Sequence, residues 1–429
     1  MKIKLTFFIC FIGVNVFGQT SNTVDSYKLN QDFGKIIQDL SNNYIYLNDK
    51  KTDFNCVKET YSKYISKVKT NQESVLFFEY LLNEFYDGHL LLNTKTKASF
   101  RLHSPVYVKL RNNSFCIENI WFSQLEKFGK NILNAEVLRF NGKDLNSAID
   151  DFPVQCVNKQ IPEVREWIAN KIIAGRYNEA RMLTLQLADD RRISLNLDEI
   201  EVRKDNKLFS VTKKNDIAII RINNSLGNNN LIKRFDRALD QLTDTKGIIL
   251  DLRNTISGGN TYVARAIMSR FIETELPYQK HISKEKYGNN PAISKRWVEY
   301  VMPRGKQYKK PVVVLVGRWT GSMGEGLAIG LDGMQRATIV GSEMGKLAGS
   351  IVNYSFNNRN YGYSITTDKI LHVNGEAREN FVPKHLVTQQ SILNDDVLIK
   401  ALNLIKGKEN ENFVTNVKSG NRIVSKLNK

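Results

Sequence analysis

The chain has 429 residues, of which 41% are hydrophobic and 25% are charged, as in ordinary folded proteins and unlike disordered ones. This length exceeds one typical domain of about 100–150 residues, so it predicts two or three domains. The formal net charge is +18. Lys and Arg are spread along the chain rather than gathered in a basic arm, which argues against nucleic acid as a partner.

The first residues follow the pattern of a secretory signal peptide. Lys2 and Lys4 precede a short apolar run over residues 5–16, and the small residue Gly18 follows it. The run is shorter than the roughly 20 residues that span a bilayer. The pattern predicts a signal peptide over residues 1–18, export to the periplasm or outside the cell, and no integral membrane segment after its removal.

Few cysteines and histidines remain for disulfides or metal sites. Cys56, Cys116 and Cys156 follow the signal segment, and an odd number allows at most one disulfide beside a free thiol. We expect these to be buried structural cysteines. The five histidines show no HExxH motif or paired-ligand spacing, so the sequence predicts neither a metal nor an organic cofactor.

Residues 21–89 predict a small helical subdomain, because apolar side chains recur three and four positions apart. Asp53 is placed to cap one helix, and Thr70 with Glu73 forms a capping box before another. Gly88 is expected to end the last of these helices.

Residues 90–212 predict a mixed, mainly β segment. Two runs over residues 105–110 and 114–120 alternate apolar and polar side chains as half-buried strands do. The Asn-Gly turn at residues 141–142 and its flanking strands resemble, weakly, a peptide-binding PDZ module. A helix is expected over residues 163–187.

Residues 213–390 alternate short apolar runs with helical stretches, which is the pattern of βαβ units around a parallel sheet. The strands are predicted over residues 217–222, 247–252, 311–316 and 337–340. The helices between them are predicted over residues 231–242, 261–271 and 324–334. A hairpin is expected over residues 351–372, and residues 391–429 predict a C-terminal helix and a polar tail. The fold class is therefore α/β, or α+β across several domains.

A serine lies at a chemically favoured position of this predicted core. Ser322 stands between the carboxyl end of the strand at residues 311–316 and the N-terminus of the helix at residues 324–334. There the hydroxyl is close to the positive end of the helix, and neighbouring N–H groups can receive a developing oxyanion. The alternative is that Ser322 only caps the helix, since Ser is a favoured capping residue.

A second loop, over residues 251–260, follows the neighbouring predicted strand. Its adjacent glycines, Gly258 and Gly259, let the backbone approach a ligand closely and point N–H groups into a cleft. Two such loops at one sheet edge can supply an oxyanion hole from both sides. A phosphate cradle is the alternative, although the spacing matches neither the P-loop nor the dinucleotide fingerprint.

In this order, the motifs resemble the catalytic domain of the tail-specific (carboxyl-terminal processing) proteases. The resembling segments are Gly247-Ile-Ile-Leu-Asp-Leu-Arg-Asn254 with the glycine pair, Pro311–Val316 with Gly321-Ser-Met-Gly-Glu325, and Arg336–Gly341. The resemblance covers about residues 215–385 and implies a ClpP/crotonase-like fold. It implies a serine peptidase with Ser322 as the nucleophile and with Gly259 and Met323 as oxyanion donors.

The general base differs between two branches of that family. In the processing-protease branch a Lys after the Ser is the base, which points to Lys346, 24 residues after Ser322. In the tricorn-like branch the base is the His of an Asp-Gly-His motif, which points to His89, with a late Glu, either Glu379 or the nearby Glu376. We favour His89, because a Lys base must be buried to be neutral whereas His needs no large pKa shift.

The sequence thus predicts an exported serine peptidase that cuts peptide or protein substrates through a Ser322 acyl-enzyme. Two alternatives stay open. One is a catalytically inactive or retinoid-carrier-like ligand-binding protein of the same fold. The other is an acyl-ester hydrolase.

Overall fold

The computed structural model describes residues 23–126 and 128–407. The predicted signal peptide over residues 1–18 and the polar tail beyond residue 407 lie outside these ranges. Within them, no helix combines the length and the apolar character that crossing a membrane requires.

Three helices form the N-terminal part of the structure. They are α1 (Ser26–Asn43), α2 (Phe54–Tyr64) and α3 (Asn71–Asn83), with a 3₁₀ turn at Ile65–Lys67. The predicted helix starts are confirmed, because Asp53 accepts the N–H groups of Asn55 and Cys56, and Thr70 forms a capping box with Glu73. Such caps stabilise the first turn by bonding N–H groups that lack intrahelical partners.

The end of α3 differs from the prediction. The helix ends at Asn83, so the prediction that Gly88 ends it is wrong. Tyr86 takes a φ of 37°, which turns the chain out of the helix before Gly88. Glu84 extends into the interior, where its carboxylate accepts the N–H groups of residues 155–157. Gly88 therefore lies in a separate turn.

After β1 (Leu91–Leu92), six strands form an antiparallel sheet in the order β2-β3-β4-β6-β7, with β5 paired to β4. They are β2 (Val106–Arg111), β3 (Ser114–Ile120), β4 (Glu136–Phe140), β5 (Lys143–Asp144), β6 (Met182–Gln186) and β7 (Arg192–Asn196). Helices α4 (Leu145–Asp150) and α5 (Pro162–Ala174) pack against this sheet, and 3₁₀ turns lie at Phe122–Gln124 and Leu197–Glu199. The predicted strands β2 to β5 are confirmed, whereas the PDZ resemblance stays a prediction.

The helix predicted over residues 163–187 is only partly correct. It ends at Ala174, because Gly175 follows with a φ of 70° that glycine adopts readily. The chain then returns as β6, in which Leu183 and Leu185 are buried between half-buried neighbours. This period of two, rather than 3.6, is the signal of a strand.

A second sheet, in the order β17-β14-β13-β10-β9-β8, contains the predicted βαβ units. Its strands are β8 (Phe209–Lys214), β9 (Ile217–Ile222), β10 (Gly247–Asp251), β13 (Val312–Val316), β14 (Thr338–Gly341) and β17 (His385–Leu386). The helices are α6 (Asn230–Asp240), α7 (Thr261–Met268) and α8 (Met323–Gly333). Five strands are parallel and β8 is antiparallel, so the predicted parallel core is confirmed.

A third sheet is antiparallel, in the order β1-β16-β11-β12 with β15 paired to β16. Its further strands are β11 (Leu276–Glu285), β12 (Ile293–Val301), β15 (Ser350–Ser355) and β16 (Gly362–Leu371). The hairpin predicted over residues 351–372 is β15–β16 and is confirmed. The β11–β12 hairpin is not predicted, because most side chains of β12 are exposed and the strand therefore lacks a clear apolar alternation.

Both faces of the parallel sheet are buried. One face buries Leu250 and Val314 together with side chains of α6, α7 and α8. The other buries Ile249 and Val313 beneath the helix at residues 396–407, which confirms the predicted C-terminal helix. Burial on both faces explains why these strands are continuous apolar runs.

The cysteines differ from the expectation. Cys56 and Cys156 form a disulfide that joins α2 to the segment before α5. Cys116, on β3, is a free thiol. All three are half-buried, so the expectation of buried cysteines is wrong. The disulfide lies near the surface and joins the N-terminal helices to the segment between α4 and α5.

Candidate active site

Ser322 lies on a tight turn between β13 and α8. The strand ends at Val316, and Ser322 immediately precedes Met323, the first residue of the helix. Its φ of 49° is in the left-handed region, which a non-glycine residue occupies only when the surrounding structure enforces it. Nucleophilic serines of α/β-hydrolases lie on sharp strand-to-helix turns. Ser322 is half-buried rather than enclosed.

The Glu325 carboxylate connects this turn to the loop after β14. It is fully buried and accepts backbone N–H groups from Ser322 at 2.7 Å, Lys346 at 2.8 Å and Leu347 at 3.1 Å. Burial raises the pKa of Glu325 to about 7, although the Arg378 guanidinium and the N–H donors act in the opposite direction. One side chain therefore holds the serine backbone against the loop.

Gly258 packs directly against the serine. A Cβ on Gly258 would lie 2.4 Å from Ser322 Cβ, 3.0 Å from Ser322 Oγ and 2.8 Å from the backbone nitrogen of Met323. Its φ of 65° also favours glycine. Its N–H donates to the Thr255 carbonyl oxygen at 2.9 Å and is therefore engaged. The absence of a side chain at this position keeps the space beside the hydroxyl open.

Two N–H groups next to this space have no acceptor. Among the residues that the structure describes, the N–H groups of Gly259 and Met323 donate no hydrogen bond. The loops that carry them are joined, because Gly321 donates to the Thr255 carbonyl oxygen at 3.2 Å and Thr255 forms a parallel bridge with Thr320. Unpaired N–H groups in neighbouring loops are the donors that an oxyanion hole requires.

His89 is a buried, neutral imidazole. It is 4% exposed, and its Nδ1 lies 2.7 Å from the Ala348 carbonyl oxygen. Because a carbonyl oxygen only accepts, Nδ1 carries the proton and Nε2 presents a lone pair. Burial and the Arg378 guanidinium lower the pKa of His89. The Asp87 carboxylate orients the turn by accepting the N–H of His89 and the hydroxyl of Tyr44, both at 2.8 Å.

Leu347 lies between the histidine turn and the serine turn. A Cβ on Gly88 would lie 2.7 Å from Leu347 Cδ2, and a Cβ on Gly321 would lie 3.1 Å from Leu347 Cδ1. Gly88 precedes the predicted base and Gly321 precedes the predicted nucleophile. Both glycines therefore lie against the same leucine side chain.

Arg378 is a buried cation at the same loop, and sequence reasoning assigned it no role. Its guanidinium donates to the carbonyl oxygens of Leu347 at 2.5 Å and Gly349 at 2.6 Å, and the residue is 3% exposed. The available signal was its position immediately before Glu379, since an arginine beside a predicted catalytic carboxylate can order the site around it.

Comparison with known families agrees with this geometry. The model of peptidase family S41 matches residues 216–386, which include the parallel sheet and both glycine-bearing loops. The model of the tricorn protease C1 domain matches residues 26–83, the helical N-terminal part. The chain therefore contains a peptidase family S41 domain over residues 216–386. The protein is a serine-type peptidase, as the sequence predicts.

Several solved structures are similar to this chain over most of its length. Mature CPAF is similar with a TM-score of 0.57 at 13% identity, over 84% of this chain and 92% of that chain. Mature CPAF complexed with lactacystin is similar with a TM-score of 0.57 at 14% identity, over 89% and 97%. The photosystem II D1 C-terminal processing protease gives a TM-score of 0.49 at 13% identity, over 85% and 94%. No curated protein sequence matches the chain. At these identities the likeness to CPAF shows the fold alone.

Lys346 is not buried. Its amine lies 3.2 Å from Glu343 Oε1, in an ion pair whose side chains are 44% and 35% exposed. A neutral lysine base needs burial away from water and from negative charge. The surroundings of Lys346 do not provide this.

The predicted acidic residues occupy different environments. Glu379 lies in a 3₁₀ turn, Arg378–Asn380, and its Oε2 is buried without a hydrogen-bond partner among the described residues. Burial and then the Glu379 carboxylate raise the pKa of Tyr46 above its ordinary value, so this hydroxyl and the carboxylate are neighbours. Glu376 is exposed in the turn beside Asn374, to which its N–H donates at 2.9 Å.

Proposed function

We propose that this S41 peptidase is exported and hydrolyses peptide bonds with Ser322 as the nucleophile and His89 as the general base. The observation that carries the proposal is the conformation of Ser322, a left-handed residue at a helix N-terminus beside two unpaired N–H groups. Ser322 also takes part in a capping box with Glu325 at the start of α8. A residue that served only as a helix cap would need neither that backbone strain nor the open space beside Gly258.

The proposed reaction is acyl transfer. His89 Nε2 takes the proton of Ser322 as Oγ attacks the peptide carbonyl carbon, and the N–H groups of Gly259 and Met323 stabilise the oxyanion. The imidazolium then gives its proton to the leaving amine as the C–N bond breaks. Water attacks the acyl-enzyme in the same manner and releases the acid. The Ala348 carbonyl oxygen keeps the Nδ1 proton in place throughout.

His89 is preferred to Lys346 because of their environments. A buried imidazole with a lowered pKa is neutral at physiological pH, as a base must be. The lysine amine is exposed and paired with Glu343. Glu379 enters the proposal as a positioning residue, because it neighbours Arg378, which holds two carbonyl oxygens of the loop that contacts His89.

Covalent labelling tests these assignments. A fluorophosphonate should label the protein, and Ser322→Ala should abolish the label while Ser342→Ala, a nearby half-buried serine, should keep it. His89→Ala should slow labelling by about 10²–10⁴-fold, the usual contribution of a general base. Lys346→Ala should label nearly as fast as the natural chain. Loss of labelling in Lys346→Ala but not in His89→Ala would reverse the choice of base.

Failure of the natural chain to label, together with no cleavage of peptides, would contradict the catalytic proposal. Tight binding of an apolar ligand in that case would favour the ligand-binding alternative. Faster turnover of short acyl esters than of any peptide would favour the ester hydrolase.

Export is proposed from the signal pattern and from the disulfide. Disulfides such as Cys56–Cys156 form and persist mainly in oxidising compartments. Cell fractionation and the N-terminal sequence of the mature protein test the proposal, with cleavage expected after Gly18. A protein that stays in the cytoplasm with its first residues intact would contradict it.

A further inference from the structure

A polar cleft opens beside the proposed oxyanion loop, and no step of the reaction above uses it. Its volume is about 330 Å³, which is within the size range of small-ligand sites. It is lined by residues 205–208 and by Asn223, Asn224, Ser225, Gly227 and Asn228. An amino-acid side chain fits in this volume.

The wall of the cleft contacts the oxyanion loop directly. Asn224 accepts the N–H of Ser257 at 2.8 Å and donates to its hydroxyl at 3.0 Å. A Cβ on Gly227 would lie 3.9 Å from Gly259 Cα. Because Gly258 packs against the nucleophile, the cleft and the serine hydroxyl flank the same pair of glycines. A peptide bound across these glycines can therefore reach both.

The cleft contains a buried hydrogen-bond acceptor. Asn223 is 9% exposed, and its Nδ2 donates to the Lys207 carbonyl oxygen at 3.2 Å. Its Oδ1 is buried and has no hydrogen-bond partner among the residues described. Buried acceptors are nearly always paired in folded proteins, so this oxygen favours a ligand with an N–H or O–H donor.

The charges around the cleft disfavour a charged ligand. The Asp205 carboxylate lies 3.1 Å from Arg203 and 3.8 Å from Arg221, and the rim includes the exposed Lys207. Because Arg203 and Arg221 are paired with Asp205, Lys207 is the lining cation that disfavours a lysine or arginine side chain. A carboxylate would face Asp205 and the Asn223 oxygen. A neutral donor avoids both penalties.

We propose that this cleft is a substrate subsite that takes a neutral hydrogen-bond-donating side chain, Asn, Gln or Ser, near the scissile bond. Asn223 is its specificity residue, and Gly227 lines the cleft without a side chain. The inference rests on the proposed function and names part of the substrate class of that site.

Filling the cleft tests the proposal. A Cβ at Gly227 makes only an ordinary contact at 3.9 Å, so Gly227→Leu should fold and fill part of the cleft. The matched control is Gly34→Leu, at an exposed glycine of α1 with no neighbour within 4 Å of an added Cβ. With a positional-scanning peptide pool, the natural chain and Gly34→Leu should prefer Asn, Gln or Ser at one position. Gly227→Leu should lose about tenfold in kcat/KM for those peptides, roughly the effect of one hydrogen bond. An unchanged preference in Gly227→Leu would overturn the inference.

A charge substitution tests the role of Asn223. Asn223→Asp puts a carboxylate at the acceptor position and should shift the preference at that position toward Lys and Arg. A profile identical to that of the natural chain would contradict the assignment.

Fluorophosphonate labelling separates this inference from the proposed function, because the small probe does not need the cleft. Normal labelling of Ser322 with no side-chain preference at any position would overturn the subsite alone. No labelling and no cleavage would overturn the proposed function.

Discussion

At the residue scale, Glu325 links the turn at Ser322 to the loop that contacts His89. Its Oε2 accepts the N–H groups of Ser322 and Leu347, and its Oε1 accepts that of Lys346. Such a carboxylate can satisfy three donors because both oxygens only accept. The alignment of the site therefore depends on a side chain that does not react.

We expect Glu325→Gln to disturb this alignment. The new amide NH₂ would face backbone N–H groups, which leaves buried donors unpaired and lowers the free energy of unfolding by about 1–3 kcal/mol. Fluorophosphonate labelling of Ser322 should slow as well. Glu343→Gln, a half-exposed carboxylate of the same loop, is the control and should change neither quantity much. If Glu325→Gln were labelled as fast as the natural chain, the conformation of the Ser322 turn would not depend on Glu325.

The pH dependence of activity should report the environment of His89. Burial and the Arg378 cation lower its pKa below the ordinary 6.5, so the imidazole stays neutral, and kcat/KM is retained, to a more acidic pH. The acid limb should therefore lie below pH 6.5, and Arg378→Gln should move it upward because a positive charge is removed. Arg378→Lys keeps the charge and is the control. Labelling at pH 8 checks that the variants are folded. An acid limb at the same pH in Arg378→Gln as in the natural chain would argue against His89 as the base.

At the scale of elements, two loops at the carboxyl ends of β10 and β13 form the site together. Neighbouring parallel strands end at the same sheet edge, so their loops meet. The contact is close enough that Gly258 has no room for a side chain. The adjoining helices α7 and α8 begin at these loops, and their N-termini favour negative charge there.

Gly258→Ala should impair both stability and catalysis, because an added Cβ would lie 2.4 Å from Ser322 Cβ. The added Cβ would lie 3.0 Å from Ser322 Oγ and 2.8 Å from the Met323 nitrogen, where the oxyanion is proposed to bind. We expect a loss of about 10²–10³-fold in kcat, comparable to the removal of one oxyanion donor. Gly142→Ala, also at positive φ but in open space, measures the backbone strain alone. A kcat for Gly258→Ala equal to that of the natural chain would contradict this account.

At the scale of the whole molecule, buried polar contacts join the helical part to the catalytic part. Asp32 of α1 is fully buried and lies 3.1 Å from Arg359, in the turn between β15 and β16. The N–H of Asn358 also donates to Asp32 at 3.1 Å, and the Arg359 guanidinium donates to Ser74 of α3 at 2.8 Å. These contacts join α1 and α3 to the antiparallel sheet that contains β15 and β16. The same sheet includes β1, the strand that follows His89.

Removing one partner of this pair should be costly. Arg359→Ala leaves the Asp32 carboxylate buried without a cation, and we expect the free energy of unfolding to fall by about 3–5 kcal/mol. The double variant Asp32→Leu/Arg359→Met should lose less, because no charge is left unpaired. Urea unfolding of both variants measures the difference. A double variant that is less stable than Arg359→Ala would contradict this account.

The Cys56–Cys156 disulfide should stabilise the same arrangement. It closes a loop of 100 residues between α2 and the segment that precedes α5. Replacing both cysteines by serine should lower the free energy of unfolding by about 2–5 kcal/mol. Cys116→Ser is the control, since that thiol is free. Equal unfolding midpoints for the double variant and the natural chain would show that the disulfide adds no stability.

Local features of this protein were determined by the sequence itself. The caps at Asp53 and Thr70, the apolar run of each strand and the glycine loops depend on residues within a few positions of one another, so their patterns are visible in one dimension. The order of those motifs sufficed to predict the family and to select Ser322. At residues 175–187 the sequence analysis extended the predicted helix, whereas the chain leaves the helix at Gly175 and forms the strand β6.

Only the tertiary structure decided which distant residues of the candidate site lie together. His89 and Ala348 are 259 positions apart, and Glu325 bonds to N–H groups 21 and 22 positions later. Such contacts follow from how whole layers pack, which no local period records. For the same reason the disulfide partners, the role of Arg378 and the exposed ion pair of Lys346 became visible only when the chain was folded.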